Sequence, residues 1–272
     1  TRYIGDWSSD VCSSDLWLLP LVAVMLTSMR TFDDVLAGNY WTFPEETATI
    51  ANYTAVFEGG KMGRFFLNSI IITLPTVLGT LFLSSLAGYS LAMHRFKLNL
   101  LVFAMFIAGN FVPFQILMIP VRNISIEMGV YNTHIGLIIF HIAFQTGFCT
   151  FFLRNFIKEL PFELIEAARA DGATEWTIYR KIILPLIVPA LAALGVLEFT
   201  FIWNDYFWAL VLTQGDTVKP ITVGLDVLRG QWTTSWNLVS AGSVVAALPP
   251  VIMFFILQRQ FIQGLTFGAV KG

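Results

Sequence analysis

The chain has 272 residues, of which 56% are hydrophobic and 12% are charged, and its net charge is −2. Soluble domains carry about 25% charged residues, so this composition, with several apolar runs of about 20 residues, predicts an integral membrane protein. The small net charge argues against a nucleic-acid partner. The two cysteines, Cys12 and Cys149, make no disulfide framework.

The first sixteen residues, TRYIGDWSSDVCSSDL, differ in character from the rest of the chain. They repeat the triplet SSD, and they resemble neither a membrane span nor a signal peptide with its charged start and apolar core. Our hypothesis is that residues 1–16 are a leader foreign to the natural gene. Residues 17–272 are then expected to form a single membrane domain.

The apolar runs predict an all-α fold, a polytopic membrane helix bundle with six transmembrane helices. A run such as Ile70–Leu83 does not alternate apolar and polar residues, as the strands of a membrane barrel would. The first run, Leu16–Met29, is shorter than the roughly 20 residues that a span needs, so we interpret it as a truncated first helix. The other predicted spans are Leu67–Met93, Leu100–Val121, Thr133–Leu153, Ile182–Leu212 and Leu238–Leu257.

The distribution of Lys and Arg predicts how the spans are oriented. If the segment between the fourth and fifth spans is cytoplasmic, the internal segments carry nine basic residues and the longer external segments carry six. Both termini are then cytoplasmic. The internal segments are 93–99, 154–181 and 258–272, and the external segments are 30–66, 122–132 and 213–237.

Small residues and prolines recur inside the predicted spans. Gly79, Ser84 and Gly88 suit the close approach of neighbouring helices. The prolines predict kinks, because neighbouring helices can bond the carbonyl groups that each proline leaves free. One kink is expected at Pro185, where the fifth span enters the membrane.

A short polar interruption, Glu159–Pro185, lies between the apolar runs of the fourth and fifth spans. Pro161 suits the first turn of a helix, where its missing N–H is not needed. Asp171-Gly172 is typical of a helix end followed by a turn, and Thr174 can cap a second helix. The pattern predicts a helix–turn–helix on the inner surface at which a partner docks; an ordinary amphipathic surface helix is the alternative.

The spacing from Glu166 to Pro185, EAA-x3-G-x9-I-x-L-P, resembles the cytoplasmic-loop motif of the permease subunits of ABC importers. Other segments are similar to binding-protein-dependent sugar permeases of the maltose type, and the resemblance covers roughly residues 17–272. These segments are Asn52-Tyr53, Phe65-Phe66-Leu67-Asn68-Ser69, Phe201-Ile202-Trp203-Asn204-Asp205-Tyr206, Gln263-Gly264-Leu265-Thr266 and Val270-Lys271-Gly272.

The resemblance implies that the loop forms a coupling helix, which docks on a separate ATPase subunit and switches the pore between outward-facing and inward-facing states. It also implies a bacterial plasma (inner) membrane location. Three partners would lie within this lipid membrane or at its surfaces: a second permease subunit in a heterodimer, an ABC ATPase dimer and an extracytoplasmic solute-binding protein. ATP and Mg would be bound by the ATPase, with no cofactor on this chain. The residues that the resemblance assigns to ATPase coupling are Glu166, Ala167, Ala168, Asp171, Gly172 and Ala173.

No motif for catalysis accompanies this pattern. The sequence has neither the G-x4-G-K-[ST] phosphate loop nor H-E-x-x-H, so we expect a transporter subunit rather than an enzyme, with ATP hydrolysis on the partner chain. His134 and His141 are seven residues apart in one predicted span. Packing or hydrogen bonding explains them better than a metal site does.

Glu198 and Asp205 are the only acidic residues well inside a predicted span. A charge at the bilayer centre costs about 2.5–3.5 kcal/mol on insertion scales, so both should face protein or a water-filled path. Their spacing of seven predicts one helical face. Aromatic and amide neighbours could bind sugar there, and a structural interhelical pair is the alternative. The candidate pore or substrate-path residues are Glu198, Trp203, Asn204, Asp205, Tyr206 and Gln115.

The function that we expect is import of a sugar or oligosaccharide by alternating access. One alternative is a permease of the same architecture for a polyol or a glycerol phosphoester. The predicted spans contain no basic cluster, which disfavours the phosphoester. A membrane-embedded enzyme or channel is the alternative from a different class, and it would need a catalytic constellation or a filter-like repeat that the sequence does not contain.

Overall fold

The computed structural model describes residues 7–38, 40–41, 43, 50–59, 61–229 and 234–266. Their regular structure is helical apart from one isolated antiparallel bridge, Arg229 to Thr234. The all-α prediction is confirmed for this part of the chain. The helices are α1 (Trp7–Ser28), α2 (Phe32–Leu36), α3 (Ala51–Glu58), α4 (Met62–Met93), α5 (Asn99–Asn110), α6 (Met118–Glu127), α7 (His134–Lys158), α8 (Phe162–Ala170), α9 (Glu175–Ile178), α10 (Leu184–Leu186), α11 (Val188–Trp203), α12 (Phe207–Leu212), α13 (Ile221–Gly224) and α14 (Trp236–Thr266).

Three of the described helices are long and apolar enough to cross a membrane by themselves: α4, α7 and the first part of α14, Trp236–Gln258. The number rises to five if each of two bent helix pairs is one span. The apolar part of α1, Leu18–Ser28, is shorter, in line with the predicted short first helix. However, α1 begins at Trp7, nine residues before the predicted start at Leu16. The origin of residues 1–16 stays a prediction.

The third predicted span, Leu100–Val121, is not one straight helix. It is broken between α5 and Phe114–Glu127, with a bend of 90°. Pro113 lies in the break with φ −58° and ψ 117°, and a 3₁₀ turn begins directly after it. Because proline has no N–H to donate and its ring clashes with the preceding turn, the helix ends before it.

The fifth predicted span, Ile182–Leu212, is also broken. Its bend of 70° lies at Ile187, between α10 and α11, two residues after the expected kink at Pro185. Pro185 instead follows a π-helical turn at Tyr179–Ile183, which widens the helix where a proline removes one hydrogen bond. Pro189 then falls in the first turn of α11, where its missing N–H is tolerated, so a break immediately before it costs little.

The described residues divide into two compact units. The first combines residues up to Leu67 with Pro220–Leu248. Within it, the buried side chain of Asn52 on α3 donates to the carbonyl oxygens of Ser28 (2.9 Å) and Arg30 (2.7 Å). It also accepts from the Asn237 amide at 2.9 Å. One asparagine therefore joins the end of α1, α3 and the start of α14, since each buried polar group needs a partner.

The second unit, Asn68–Lys219 with Pro249 onward, contains the loop and the candidate path residues. Its helices α4 and α7 pack closely, as the small residues of α4 predict. A Cβ on Gly88 would lie 3.1 Å from the Arg154 backbone nitrogen, and one on Gly79 would lie 2.6 Å from Ile142 Cδ1. Ser84 donates to the Thr146 carbonyl oxygen at 3.3 Å. The close approach of α4 and α7 therefore needs small residues at these sites.

Candidate functional site

The turn after α8 has the hydrogen bonds of a Schellman motif. The Ala173 N–H donates to the Ala168 carbonyl oxygen and the Gly172 N–H to the Arg169 carbonyl oxygen, both at 3.0 Å. Gly172 has φ +77°, a conformation that costs a residue with a side chain about 1–2 kcal/mol. The predicted helix end at Asp171-Gly172 is therefore confirmed, and the glycine of the motif is the residue that needs positive φ.

The segment after the turn begins as the sequence predicts. Thr174 has an extended backbone, and its hydroxyl accepts the Thr177 N–H at 3.3 Å, capping α9. At the start of α8 the structure differs by one residue, because Pro161 precedes the helix instead of occupying its first turn. The predicted helix–turn–helix is thus present over Phe162–Ile178.

One face of α8 packs on the protein and the other faces solvent. Ile165 is 1% exposed and belongs to an apolar core with Leu153 and Ile157 of α7 and with Ile178 and Ile183 beyond the turn. Ala168 and Ala173 pack against the same core. This core holds the loop in place, because burial of an isoleucine side chain stabilises by about 1.5–3 kcal/mol.

The outer face of the loop is open to a partner. Glu166, Ala167, Asp171 and Gly172 are exposed, and a Cβ on Gly172 would meet nothing within 4 Å. Two large apolar side chains accompany them, Leu164 at 49% exposure and Trp176 at 57%. Small, acidic and apolar groups are therefore presented together, which suits a protein interface better than a solvated surface.

A carboxylate that the sequence analysis did not single out lies at the base of this loop. Glu175 Oε1 accepts from Arg169 Nε at 2.9 Å, and Oε2 accepts from the Tyr89 hydroxyl at 2.6 Å. His94 Nε2 lies 3.4 Å from the same Oε2. The opposite charges of Arg169 and Glu175 on the two sides of the turn were the signal in the sequence. Tyr89, 86 positions away in the chain, gave none.

The two acids of the fifth predicted span both contact α7. The Cys149 thiol donates to Glu198 Oε1 at 3.1 Å, and both residues are fully buried. His141 Nε2 lies 3.5 Å from Asp205 Oδ2. Cys149 is a free, buried residue inside α7, and its thiol gives Glu198 a polar partner.

The prediction that Glu198 and Asp205 share one helical face is wrong. Helix α11 ends at Trp203, so Asp205 does not continue its face. Asp205 instead lies before α12, where its carboxylate accepts the backbone N–H groups of Trp208 (3.2 Å) and Ala209 (3.0 Å). An aspartate that accepts from the unpaired N–H groups at a helix start stabilises that start. This explains why the helix is interrupted between Trp203 and Phe207.

The candidate path residues differ in exposure, and Asp205, with 14% side-chain exposure, lies between the buried and the exposed ones. Glu198 and Trp203 are buried within the chain, and Trp203 stacks on Phe199 with ring centroids 5.6 Å apart. Asn204, Tyr206 and Gln115 are exposed. Contact of any of these residues with solute stays a prediction.

The two histidines of α7 both lie beside polar side chains. His134 Nε2 lies 2.9 Å from Asn68 Oδ1, and His141 lies next to Asp205. No group of three or more His, Cys, Asp or Glu side chains suited to a metal occurs among the residues that the structure describes.

A family of known proteins matches most of this chain. The family described as "Binding-protein-dependent transport system inner membrane component" matches residues 81–267, which include the loop and both acids. The chain belongs to this family. It is a multi-pass membrane protein and a transporter subunit, not an enzyme.

Relatives named as permease proteins are similar over nearly the whole chain. The osmoprotective compounds uptake permease protein of Synechocystis is 35% identical over 94% of this chain and 88% of its own length. The arabinooligosaccharides transport system permease protein of Halalkalibacterium halodurans is 35% identical over 94% and 91%. The melibiose/raffinose/stachyose import permease protein of Bacillus subtilis is 34% identical over 93% and 91%.

The fold matches a solved transporter. A chain from a bacterial ABC transporter involved in the import of the acidic polysaccharide alginate superposes with a TM-score of 0.82. The match covers 96% of this chain and 99% of that chain at 21% identity. At this identity the likeness establishes the family's fold and not the solute.

Cysteine labelling tests whether the exposed path candidates line a water-filled route in this family member. We expect cysteines in place of Asn204 and Tyr206 to react with small water-soluble thiol reagents, at rates that change with nucleotide. A cysteine in place of Ala193, which is 1% exposed, is the matched buried control. The native Cys149 is buried and should stay unlabelled.

The labelling has two contrary outcomes. No reaction at Asn204 or Tyr206 in any state would assign Asn204–Tyr206 a structural role. A labelling rate that does not change with nucleotide would still support a water-filled route at these residues, but it would contradict gating of that route by a docked ATPase.

Proposed function

We propose that the chain is the membrane-spanning permease subunit of an ATP-driven importer for a sugar or oligosaccharide. The observation that carries the proposal is the near full-length similarity to permease proteins named for arabinooligosaccharides, for melibiose, raffinose and stachyose, and for lactose. Solute would pass from an extracytoplasmic binding protein to the cytoplasm by alternating access. In support, a structurally similar chain comes from a complex with an alginate pentasaccharide-bound periplasmic protein.

In this proposal, α8 and the turn at Gly172 are the coupling helix that docks on the ATPase. Three features support it: the outer face is exposed, the inner face is held by Ile165 in the core, and the turn is closed by its own hydrogen bonds. A rigid element with an open face can pass movement from a partner to the spans. The assigned residues remain Glu166, Ala167, Ala168, Asp171, Gly172 and Ala173.

The assembly and topology follow from the same proposal. The chain would cross the bacterial plasma membrane six times with both termini in the cytoplasm, which the excess of basic residues beside α8 supports. It would pair with a second permease subunit and an ABC ATPase dimer, and the ATPase would bind ATP and Mg.

A second candidate solute is a small polyol-like osmoprotectant. The observation that favours it is the relative named for uptake of osmoprotective compounds, which is as similar to this chain as the arabinooligosaccharide permease is. Both candidates share one architecture and one coupling loop, so they differ only in the solute.

Uptake into reconstituted vesicles tests the proposal. The full complex would be assembled with ATP inside the vesicles and binding protein outside, and offered radiolabelled melibiose, raffinose, arabinooligosaccharides and a polyol. We expect ATP-dependent uptake of at least one of the sugars, and none without binding protein. Uptake of the polyol alone would favour the second candidate. Activity of this chain by itself, without an ATPase, would contradict both.

A further inference from the structure

The carboxylate of Glu175, in the second unit, contacts two other helices, α8 and α4. It is the first residue of α9, directly after the turn, and its two oxygens have different partners. Oε1 accepts from Arg169 on α8, whereas Oε2 accepts from the Tyr89 hydroxyl on α4. One side chain therefore connects the loop to a spanning helix that is not adjacent to it in sequence.

The α4 side of this connection is closely packed. Tyr89 is buried, and its ring contacts those of Tyr179 and His94 at centroid distances of 5.5 and 5.6 Å. Close by, the hydroxyl groups of Ser85 and Tyr179 are 2.7 Å apart and join α4 to the π-helical turn. A hydrogen bond to Tyr89 thus attaches Glu175 to a packed part of α4.

The loop side is exposed, and this determines what the contact can do. Side-chain exposure is 33% for Arg169 and 46% for Glu175, so their ion pair is a surface pair that contributes little to folding stability. It does constrain geometry, because Arg169 and Glu175 lie on opposite sides of the positive-φ residue Gly172. The pair holds the start of α9 against α8.

We propose that Glu175 is a positioning residue that connects the coupling helix α8 to the end of α4. When the docked ATPase moves α8, the chain of contacts from Arg169 through Glu175 to Tyr89 carries the displacement to α4, and without it the movement is absorbed in the turn. The inference rests on the proposed coupling function of α8. It adds a second route by which movement of α8 can reach the spanning helices, besides the covalent chain from α9 to α11.

The test is hydrogen–deuterium exchange by mass spectrometry on the complete transporter in lipid nanodiscs, without nucleotide and trapped with ATP and vanadate. In the wild type we expect trapping to change exchange both in α8 and at the end of α4, around Tyr89–Met93. Tyr89→Phe removes only the hydroxyl. In this variant the change in α8 should be as large as in the wild type. In α4, the ratio of the exchange rates with and without trapping should shrink by about two- to thirtyfold, the range typical of coupling residues.

Two further variants separate the contacts. Glu175→Gln keeps an acceptor for the Tyr89 hydroxyl but loses the ion pair with Arg169. Because the two contacts act in series, it should lower the α4 response about as much as Tyr89→Phe does. Glu163→Gln is the matched control, since Glu163 is an exposed glutamate in the first turn of α8, as Glu175 is in the first turn of α9. It should respond like the wild type.

Three outcomes would overturn the inference. An unchanged α4 response in Tyr89→Phe would show that the contact carries no movement. Faster exchange in both α8 and α4 without nucleotide would show that the hydroxyl only stabilises the fold. Absence of any response in α8 of the wild type, with no ATPase recovered on purification, would reject the coupling function itself and the role of Glu175 with it.

Discussion

Gly172→Val is expected to abolish solute uptake while leaving membrane insertion intact. The φ of +77° at Gly172 is disfavoured for any residue with a side chain and most strongly for a β-branched one. The Ala173-to-Ala168 and Gly172-to-Arg169 hydrogen bonds would then be lost or strained, and α8 would present its exposed face in the wrong orientation. Uptake by vesicles, normalised to the amount of inserted permease, measures the effect.

Gly172→Asn is the matched control, because asparagine tolerates the left-handed conformation better than other residues with a side chain. Nothing within the described chain lies within 4 Å of a Cβ at this position, so asparagine fits the turn. Uptake by Gly172→Asn with none by Gly172→Val assigns the glycine to backbone conformation. Loss in both assigns it to close approach of the partner, and normal uptake by Gly172→Val would contradict the role of the turn.

Glu166→Ala is expected to weaken retention of the ATPase. Glu166 is exposed on α8, where a basic group of a partner can reach it. Truncating one partner of a charge-assisted pair at such an interface costs about 2–5 kcal/mol, which is about thirtyfold or more in affinity. Pull-down from detergent, at low and high salt, measures the recovered ATPase.

Glu163→Ala controls for loss of an acidic residue from the same helix. Recovery of the ATPase should be close to the wild-type level for this variant and low for Glu166→Ala. Full recovery with Glu166→Ala at both salt concentrations would be evidence against the contact.

Local chemistry made the coupling loop predictable. A proline before a helix, a glycine after it and a threonine before the next helix each solve a problem of unpaired backbone groups within a few residues. The structure accordingly places the helix end, the turn and the Thr174 cap where the sequence predicts them. Gly172 is also a fixed position of the motif that carries the resemblance, so this residue indicated both the local fold and the function.

Long-range contacts account for what the sequence did not reveal. The hydrogen bond from Tyr89 to Glu175 joins residues in different helices, and no periodicity reports it. The assumption of one continuous helix over Ile182–Leu212 failed for a different reason, which is local. Asp205 lies in an apolar segment, yet its carboxylate caps α12, and this local contact favours a break over the continuous helix that hydrophobicity predicts.

The most direct test of the coupling role of α8 is site-specific photo-crosslinking. A photoreactive phenylalanine analogue would replace the exposed Ala167 on α8 and, as a matched control, the exposed Ile126 on α6, which the basic-residue distribution places on the opposite side of the membrane. The account predicts a covalent adduct between the Ala167 position and the ATPase subunit, and none from Ile126. Capture of the ATPase from Ile126, or from neither position in an intact complex, would contradict it.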